Sequence, residues 1–178
     1  MSDKKLYGEA RRAAIIRTLK KTAKPVTGQE LAKQTNVSRQ VIVQDISLLK
    51  ASDEPIMATN RGYLYAADSE ESGRFKKQIV CKHTPTETLK ELELIVDCGV
   101  TVKDVTIEHG FYGELTGSLM ISSRFDAAAF IEQISRAEAA LLSELTDGVH
   151  IHTLTADSIE KIDAASDALK EAGFLIEE

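Results

Sequence analysis

The sequence predicts an α+β protein built from two domains, and three observations support this prediction. Two closely spaced helix patterns lie near the N-terminus, whereas strand and helix patterns alternate in the rest of the chain. The stretch DSEESGR between them is polar, contains Gly and Ser and has no apolar periodicity, which is typical of a short linker. A chain of 178 residues is also long enough to form two cores. We therefore expect domains at residues 1–67 and 75–178, joined by residues 68–74.

The first domain contains two helix patterns joined by a tight turn, within the stretch TGQELAKQTNVSRQVIVQDISLLK. Thr27 and Glu30 have the spacing of a capping box, which begins the first of these helices. Asn36 is a residue type that adopts the left-handed conformation of a turn, and Ser38 is expected to cap the second helix. The buried face of that second helix is predicted from the helical spacing of Ile42, Ile46 and Leu49.

The outer face of the second helix carries side chains suited to base edges in a DNA major groove. These residues are Ser38, Arg39, Gln40, Val43 and Gln44. The stretch IMATNRGYLYAA predicts a short two-stranded wing, with Arg61 at its tip to reach phosphate or the minor groove. The pattern is typical of a winged helix-turn-helix, which we expect to bind double-stranded operator DNA. The alternative is a helical hairpin used only for protein contacts.

The charge distribution favours the DNA-binding interpretation. The whole chain has a net charge of −6 and a pI of about 5.3, which alone would argue against a nucleic-acid partner. Residues 1–67, however, hold 12 Lys and Arg against 6 Asp and Glu, whereas residues 68–178 hold 10 against 22. Phosphate contacts require local positive charge. We therefore expect the first domain to bind DNA and the acidic second domain to face away from it.

The second domain is expected to follow the order β-α-β-β-α-β-α-β. Strands are predicted at 76–83, 100–110, 114–123 and 148–156, with a short final strand at 174–176. Helix-start signals occur in Thr84-Pro85-Thr86-Glu87 and as a box from Asp157 to Glu160. Helices are predicted from these two sites to about Gly99 and to residue 172, with another at 125–142. This order favours an α/β-sandwich with a mixed or antiparallel sheet and helices on one face.

The four histidines all lie in the second domain. His150 and His152 are two residues apart on a predicted strand, so both rings project from one face and can bind a divalent metal. They can equally be an ordinary exposed strand face. His83 ends another strand, and the helix that follows offers two acidic residues.

Two carboxylates and a thiol are further candidate ligands. Glu87 is already explained by the capping box, and Glu91 is either a ligand or a solvated helix residue. Cys81 shares a strand face with His83, and it is either a soft ligand or part of the core.

Three blocks of sequence now point to a known family. They are KHTPTETLKELELIVDCG, VTIEHGFYGELTG and DGVHIHTL, in this order behind a helix-turn-helix. The chain resembles the niacin-responsive transcriptional repressors (NiaR type), in which a helix-turn-helix is joined to a three-histidine (3H) domain. The resemblance extends from ARRAAIIRTLK to the C-terminal FLIEE.

The resemblance implies that the chain represses genes of NAD synthesis or niacin uptake, with nicotinic acid as corepressor. It also implies one divalent transition metal per chain, nickel or zinc, bound by His83, Glu91, His150 and His152. The third signature histidine falls on His109, which we assign to the effector site, with Phe111 or Tyr112 stacking on the nicotinate ring. Gly110-Phe111 departs from the family pattern, where Pro and an aliphatic residue are expected. The metal is expected to keep an open coordination position for nicotinate.

We expect a homodimer, because one winged helix reads too few base pairs for useful specificity. The helix at 125–142 is either its interface or part of the core. Two Cys without a C-x-x-C motif, no signal peptide and no long apolar run favour a cytoplasmic protein that does not enter a membrane. We expect no enzymatic activity. A repressor that senses metal alone, or a small metalloenzyme fused to a DNA-binding module, are the alternatives.

Overall fold

The computed structural model describes residues 8–66 and 74–176. These residues form two compact units, one on each side of the stretch 67–73. The predicted linker at 68–74 lies outside the described residues, apart from Arg74. Among the described residues, no helix is long and apolar enough to cross a membrane.

The first unit contains three helices followed by a hairpin. The helices are α1 (Gly8–Lys20), α2 (Gly28–Thr35) and α3 (Arg39–Ala51), and the antiparallel hairpin strands are β1 (Ile56–Thr59) and β2 (Gly62–Tyr65). The apolar stripes of the three helices meet in one core that includes Ile15, Leu19, Leu31, Ile42, Ile46 and Leu49. The order of elements is that of a winged helix-turn-helix, as the sequence predicts.

The capping hydrogen bonds and the left-handed residue that the sequence predicts around the turn between α2 and α3 are present in the structure. The backbone N–H of Glu30 donates to the Thr27 hydroxyl, and the Thr27 N–H donates to the Glu30 carboxylate. Asn36 ends α2 in the left-handed conformation with φ of 53°. The Ser38 hydroxyl then accepts from Val41 N–H at the start of α3. These local hydrogen bonds fix where α2 ends and where α3 begins, and so help to orient α3 relative to α2.

The wing is tied to the start of α2 by a close backbone approach. Val26 and Tyr63 exchange backbone hydrogen bonds of 2.9 and 2.8 Å. Gly62 has φ of +131°, and a Cβ atom there would lie 2.4 Å from the carbonyl oxygen of Val26. Only glycine fits this position, and the hairpin is therefore held against the chain that precedes α2.

The second unit is an antiparallel sheet covered by helices. Its strands are β3 (Phe75–Lys82), β4 (Thr101–His109), β5 (Gly113–Ile121) and β6 (Val149–Ala156), in the order β3-β6-β4-β5. Its helices are α4 (Thr88–Asp97), α5 (Arg124–Arg136) and α6 (Ile159–Glu171), with short 3-10 helices at Pro85–Glu87 and Leu142–Thr146. The sheet face that packs against the helices bears Ile79, Cys81, Val102 and Leu154. The predicted α+β class with an antiparallel sheet is confirmed.

One predicted helix is too long. The helix expected at 125–142 ends at Arg136, and Glu138 then has φ of 49°. Leu142 instead begins a 3-10 helix, and its side chain packs against Gly117 of β5. Leu142 therefore continues the helical spacing by coincidence of sequence, since it contacts the sheet from a separate segment.

Two other predicted details differ from the structure. The α6 helix begins after Ser158, whose side chain makes no capping hydrogen bond, and Asp157 forms an ion pair with Lys161 in place of the predicted box with Glu160. The predicted final strand at 174–176 is a single bridge from Leu175 to Cys81. The chain there follows the end of β3 too briefly to add a full strand, although Lys82 N–H donates to the Phe174 carbonyl oxygen.

Candidate functional site

Four residues from three parts of the chain, α4, β6 and the end of β3, converge at one buried point of the second unit. Glu91 on α4 is 0% exposed, and the imidazole rings of His83, His150 and His152 surround its carboxylate. The Glu91 oxygens lie 2.7 Å from Nε2 of His83, 3.1 Å from Nε2 of His150 and 3.3 Å from Nε2 of His152. The structure therefore brings together the whole predicted ligand set.

The opposite nitrogen of each ring is held by the backbone. Nδ1 of His83 lies 2.8 Å from the Thr84 carbonyl oxygen, and Nδ1 of His150 lies 2.8 Å from the Gly148 carbonyl oxygen. Nδ1 of His152 lies 2.8 Å from the carbonyl oxygen of Asp104. A carbonyl oxygen only accepts, so each Nδ1 carries a proton and donates it. In the neutral ring this leaves the lone pair on Nε2, directed at Glu91.

Three imidazole lone pairs and a carboxylate repel one another unless a cation lies among them. Protons can supply this charge: burial alone would lower the pKa of His83 and of His152, but interaction with Glu91 raises both pKa values above 6.5. Burial would raise the pKa of Glu91, yet the histidines hold it well below 4.5. A divalent metal would supply the same positive charge and replace the protons. Neutral imidazole nitrogens held by backbone carbonyls are the ligand arrangement that transition metals prefer.

The neighbouring candidates of the sequence have different roles. The exposed carboxylate of Glu87 accepts from the N–H and hydroxyl of Thr84 at 3.0 and 2.6 Å, so it caps the helix and does not face the cluster. Cys81 is fully buried beside the cluster, and its ligand atom and those of Glu91 and His150 lie within 4.8 Å of one another. Burial, followed by the negative charge of Glu91, raises the pKa of the Cys81 thiol.

Two residues that sequence reasoning missed also bear on the site. Gly148 has φ of +86°, and a Cβ atom there would lie 2.3 Å from the carbonyl oxygen of His83. Because glycine has no side chain, the segment that leads into His150 can approach the backbone of His83 closely. Thr88 lies one turn before Glu91 and is buried, and its hydroxyl has no hydrogen-bond partner among the described residues. The Gly after Asp147 was a visible turn signal, whereas nothing in the sequence marks Thr88.

The predicted effector residues lie together elsewhere, at the turn between β4 and β5. The Nδ1 atom of His109 accepts from the N–H groups of Phe111 and Tyr112 at 3.2 and 3.3 Å. The His109 and Tyr112 ring centroids are 5.0 Å apart. The side chains of Phe111 and Tyr112 are 95% and 78% exposed. These three residues form a surface cluster and do not contact the buried one.

Five of the six predicted DNA-contacting residues lie at the start and on the outer face of α3. Ser38, Arg39, Gln40, Val43 and Gln44 are all exposed, and Val43 is 43% exposed, which is unusual for Val. Ser47 continues the same face one turn after Val43, and sequence reasoning missed it although it follows the same spacing. The opposite face carries the buried Asp45, whose carboxylate is bound by Arg11 of α1 at 2.5 and 3.1 Å.

The two predicted arginines lie on different elements, Arg39 at the start of α3 and Arg61 in the turn of the wing. The Arg39 side chain lies along Gly28, where an added Cβ would be 3.6 Å from its Cγ and Nε atoms. Arg61 is half-buried in the turn of the wing, where its N–H donates to the Thr59 hydroxyl.

Comparison with known proteins agrees with both units. The HTH domain family matches residues 11–64, and the 3H domain family matches residues 76–178. The chain is 53% identical over 175 residues to "Transcription repressor NadR" of Bacillus subtilis (strain 168), covering 98% of this chain and 97% of that protein. It is 38% identical over 174 residues to "Probable transcription repressor NiaR" of Thermotoga maritima, covering 98% of each.

These matches span both units in the same order, and the relatives are named as repressors and not as enzymes. The expected resemblance is therefore confirmed, and the metalloenzyme alternative is set aside. The chain belongs to the NadR/NiaR family of transcription repressors, with a helix-turn-helix domain followed by a 3H domain.

Proposed function

We propose that this repressor binds operator DNA of NAD-synthesis or niacin-transport genes as a homodimer, with nicotinic acid as corepressor. One divalent transition metal, nickel or zinc, is bound in each chain by His83, Glu91, His150 and His152. The observation that carries the metal proposal is the direction of the three histidine rings. Each donates Nδ1–H to a backbone carbonyl, so that three Nε2 atoms converge on a single buried carboxylate.

The donor chemistry agrees with nickel or zinc. Imidazole nitrogen is a good ligand for both ions, and one carboxylate adds a negative charge to a site that burial makes costly for a bare cation. Three nitrogens and one carboxylate leave a coordination position open on a metal that takes five or six ligands. The nicotinate carboxylate or ring nitrogen can fill it. The unpartnered hydroxyl of Thr88, one turn from Glu91, is a candidate contact for a polar group at this position.

The DNA-binding proposal rests on the exposed face of α3. Exposed polar side chains at the first turn of a recognition helix are positioned to read base edges. The basic charge needed for phosphate contacts lies in the same unit. A homodimer follows from the number of base pairs that one such unit reads, because two half-sites are needed for useful specificity.

Operator affinity measured in four states tests the proposal. The purified protein is stripped of metal, then titrated against labelled operator at one fixed salt concentration, with and without metal and with and without nicotinate. We expect the tightest binding with both present. Metal content per chain from elemental analysis gives the stoichiometry, and sedimentation gives the oligomeric state.

A repressor that responds to metal alone is the second candidate. It is favoured by one observation: the four ligand residues meet in a buried cluster, whereas the predicted effector residues Phe111 and Tyr112 are exposed at a separate turn. Operator binding that metal strengthens and nicotinate leaves unchanged would establish this function. Binding that is indifferent to both would contradict the two candidates together.

A further inference from the structure

Cys81 belongs to the buried core of the second unit and also lies beside the cluster of His83, Glu91, His150 and His152. It is the register partner of His150 across β3 and β6, so both side chains leave the sheet on the same face. Its ligand atom and those of Glu91 and His150 lie within 4.8 Å of one another. Ligands of one zinc ion lie within about 4.4 Å of each other, given bond lengths of about 2.1 and 2.3 Å. The three atoms are thus spread only slightly beyond the upper limit for ligands of one ion, and small side-chain movements would bring the Cys81 sulfur into the ligand set.

Charge balance gives a reason for a thiolate at this position. Three neutral imidazoles and the Glu91 carboxylate leave a divalent ion with one uncompensated positive charge. The carboxylate and all three rings are buried, so this charge is costly to maintain. A thiolate from Cys81 makes the site neutral.

We propose that Cys81 is a fifth protein ligand of the metal, bound through its thiolate in the state without effector. When the ion binds, the S–H bond breaks, the proton leaves to solvent and a sulfur lone pair forms the sulfur–metal bond. The thiolate favours thiophilic ions over magnesium, calcium or manganese. This inference rests on the metal site of the proposed function and adds a ligand to it.

Cobalt(II) is the probe, because a thiolate bound to it gives a near-ultraviolet charge-transfer band that imidazole and carboxylate ligands do not give. The metal-free full chain is titrated with cobalt, and absorbance and bound cobalt per chain are both recorded. Variants Cys81→Ser and Cys81→Ala test the ligand. Cys98→Ser is the matched control, because Cys98 is half-buried and its Sγ donates to the Leu94 carbonyl oxygen on its own helix.

We expect one cobalt per chain, a band in wild type and Cys98→Ser, and loss of the band in both Cys81 variants. Cobalt affinity of the Cys81 variants should fall by at least about tenfold, the loss that outer partners of a metal site already cause. Stoichiometric cobalt without the band in wild type would overturn the ligand and leave the four-residue site standing. A band that persists without Cys81 would overturn it too. If wild type binds no cobalt, the metal site of the proposed function fails as well. The wild-type and Cys98→Ser spectra decide the question even if the Cys81 variants do not fold.

Discussion

The imidazole of His152 donates Nδ1–H to the carbonyl oxygen of Asp104 at 2.8 Å, and this contact occurs where the sheet is irregular. The register of β4 against both neighbours shifts between Val102 and Asp104. The Asp104 carboxylate also accepts from the Thr153 N–H at 3.2 Å. A bulge of this kind re-aims one residue of a strand. Here it turns a backbone carbonyl toward the ring and fixes which nitrogen faces Glu91.

The central carboxylate is predicted to be essential for metal. Glu91→Gln removes the negative charge but keeps the size and one oxygen, so we expect it to lose stoichiometric nickel or zinc while the second unit stays folded. Glu87→Gln is the control, since its carboxylate caps the helix at Thr84 and does not face the cluster. Elemental analysis after dialysis is the measurement. The ligand assignment is wrong if Glu91→Gln keeps its metal and Glu87→Gln loses it.

The paired strand histidines are predicted to act together. Replacing His150 and His152 by Ala should abolish stoichiometric metal, because only one imidazole then remains beside Glu91. The buried carboxylate loses two partners in this variant, so the free energy of unfolding of the second unit should also fall by about 3 kcal/mol. Circular dichroism separates loss of metal from loss of fold. Full metal content in the folded double variant would contradict the site.

Gly148 is predicted to control the geometry of the site without being a ligand. A Cβ in Gly148→Ala would meet the His83 carbonyl oxygen, which must move away and take the ring with it. We expect metal affinity to fall by about 10- to 100-fold, as when the outer partners of a ligand are lost. Gly113→Ala is the matched control, because Gly113 also has a positive φ of +72° but nothing lies within 4 Å of its Cβ position. Equal metal affinity in the two variants would show that the close approach has no part in binding.

The recognition helix is predicted to read base edges through its first turn. Arg39→Ala and Gln40→Ala should each lower operator affinity by about 1–3 kcal/mol and relax specificity. Arg61→Ala should instead weaken binding to all sequences about equally. Arg136→Ala, which removes an exposed charge from the second unit, is the control. Binding titrations on operator and scrambled DNA at one salt concentration measure both effects. Unchanged operator affinity in the Arg39/Gln40 double variant would reject the assignment.

The buried ion pair is predicted to hold the recognition helix in place. Asp45→Asn leaves the Arg11 guanidinium facing a neutral group, and charge-assisted hydrogen bonds of this kind contribute about 2 kcal/mol. We expect the free energy of unfolding of the first unit to fall by about that amount, with Glu9→Gln on exposed α1 surface as the control. Urea denaturation measures it. A loss no larger than that of the control would show that the apolar core alone positions α3.

The parts of the fold that the sequence predicts are those determined by neighbouring residues. The Thr27–Glu30 box, the left-handed Asn36 and the periodic apolar residues of α3 all act over one or two helical turns, and all are confirmed. The end of α5 at Arg136 is not predictable in this way, because Leu142 is placed by contact with Gly117 on a distant strand.

The same distinction, between local sequence patterns and contacts between distant segments, applies to the candidate site. The i, i+2 spacing indicates that His150 and His152 share a face, and the family resemblance adds His83 and Glu91. The spacing of residues does not show that Glu91 is completely buried, because that depends on how α4 packs on the sheet. Nor does it show the Asp104 carbonyl or the close approach of Gly148 to His83, since both arise where strands far apart in sequence meet.

The final prediction concerns the coupling between nicotinate and DNA. A corepressor must bind the operator-competent state better than the other state, since equal affinity would shift nothing. A coupling of about 1–3 kcal/mol would sharpen operator binding by about 5- to 150-fold.

His109→Asn is the sharpest test of the effector residues, because its side-chain oxygen can still accept from the Phe111 and Tyr112 N–H groups while the imidazole is lost. We expect this variant to keep its metal and its basal DNA binding but to respond less to nicotinate. The His150/His152 double variant should bind DNA weakly and lose the response. Operator affinity with and without nicotinate, at fixed salt, gives the coupling for each protein. A full response of His109→Asn to nicotinate would show that the turn between β4 and β5 does not contribute to effector binding. A wild-type protein whose operator affinity responds to metal but not to nicotinate would establish the metal-sensing function.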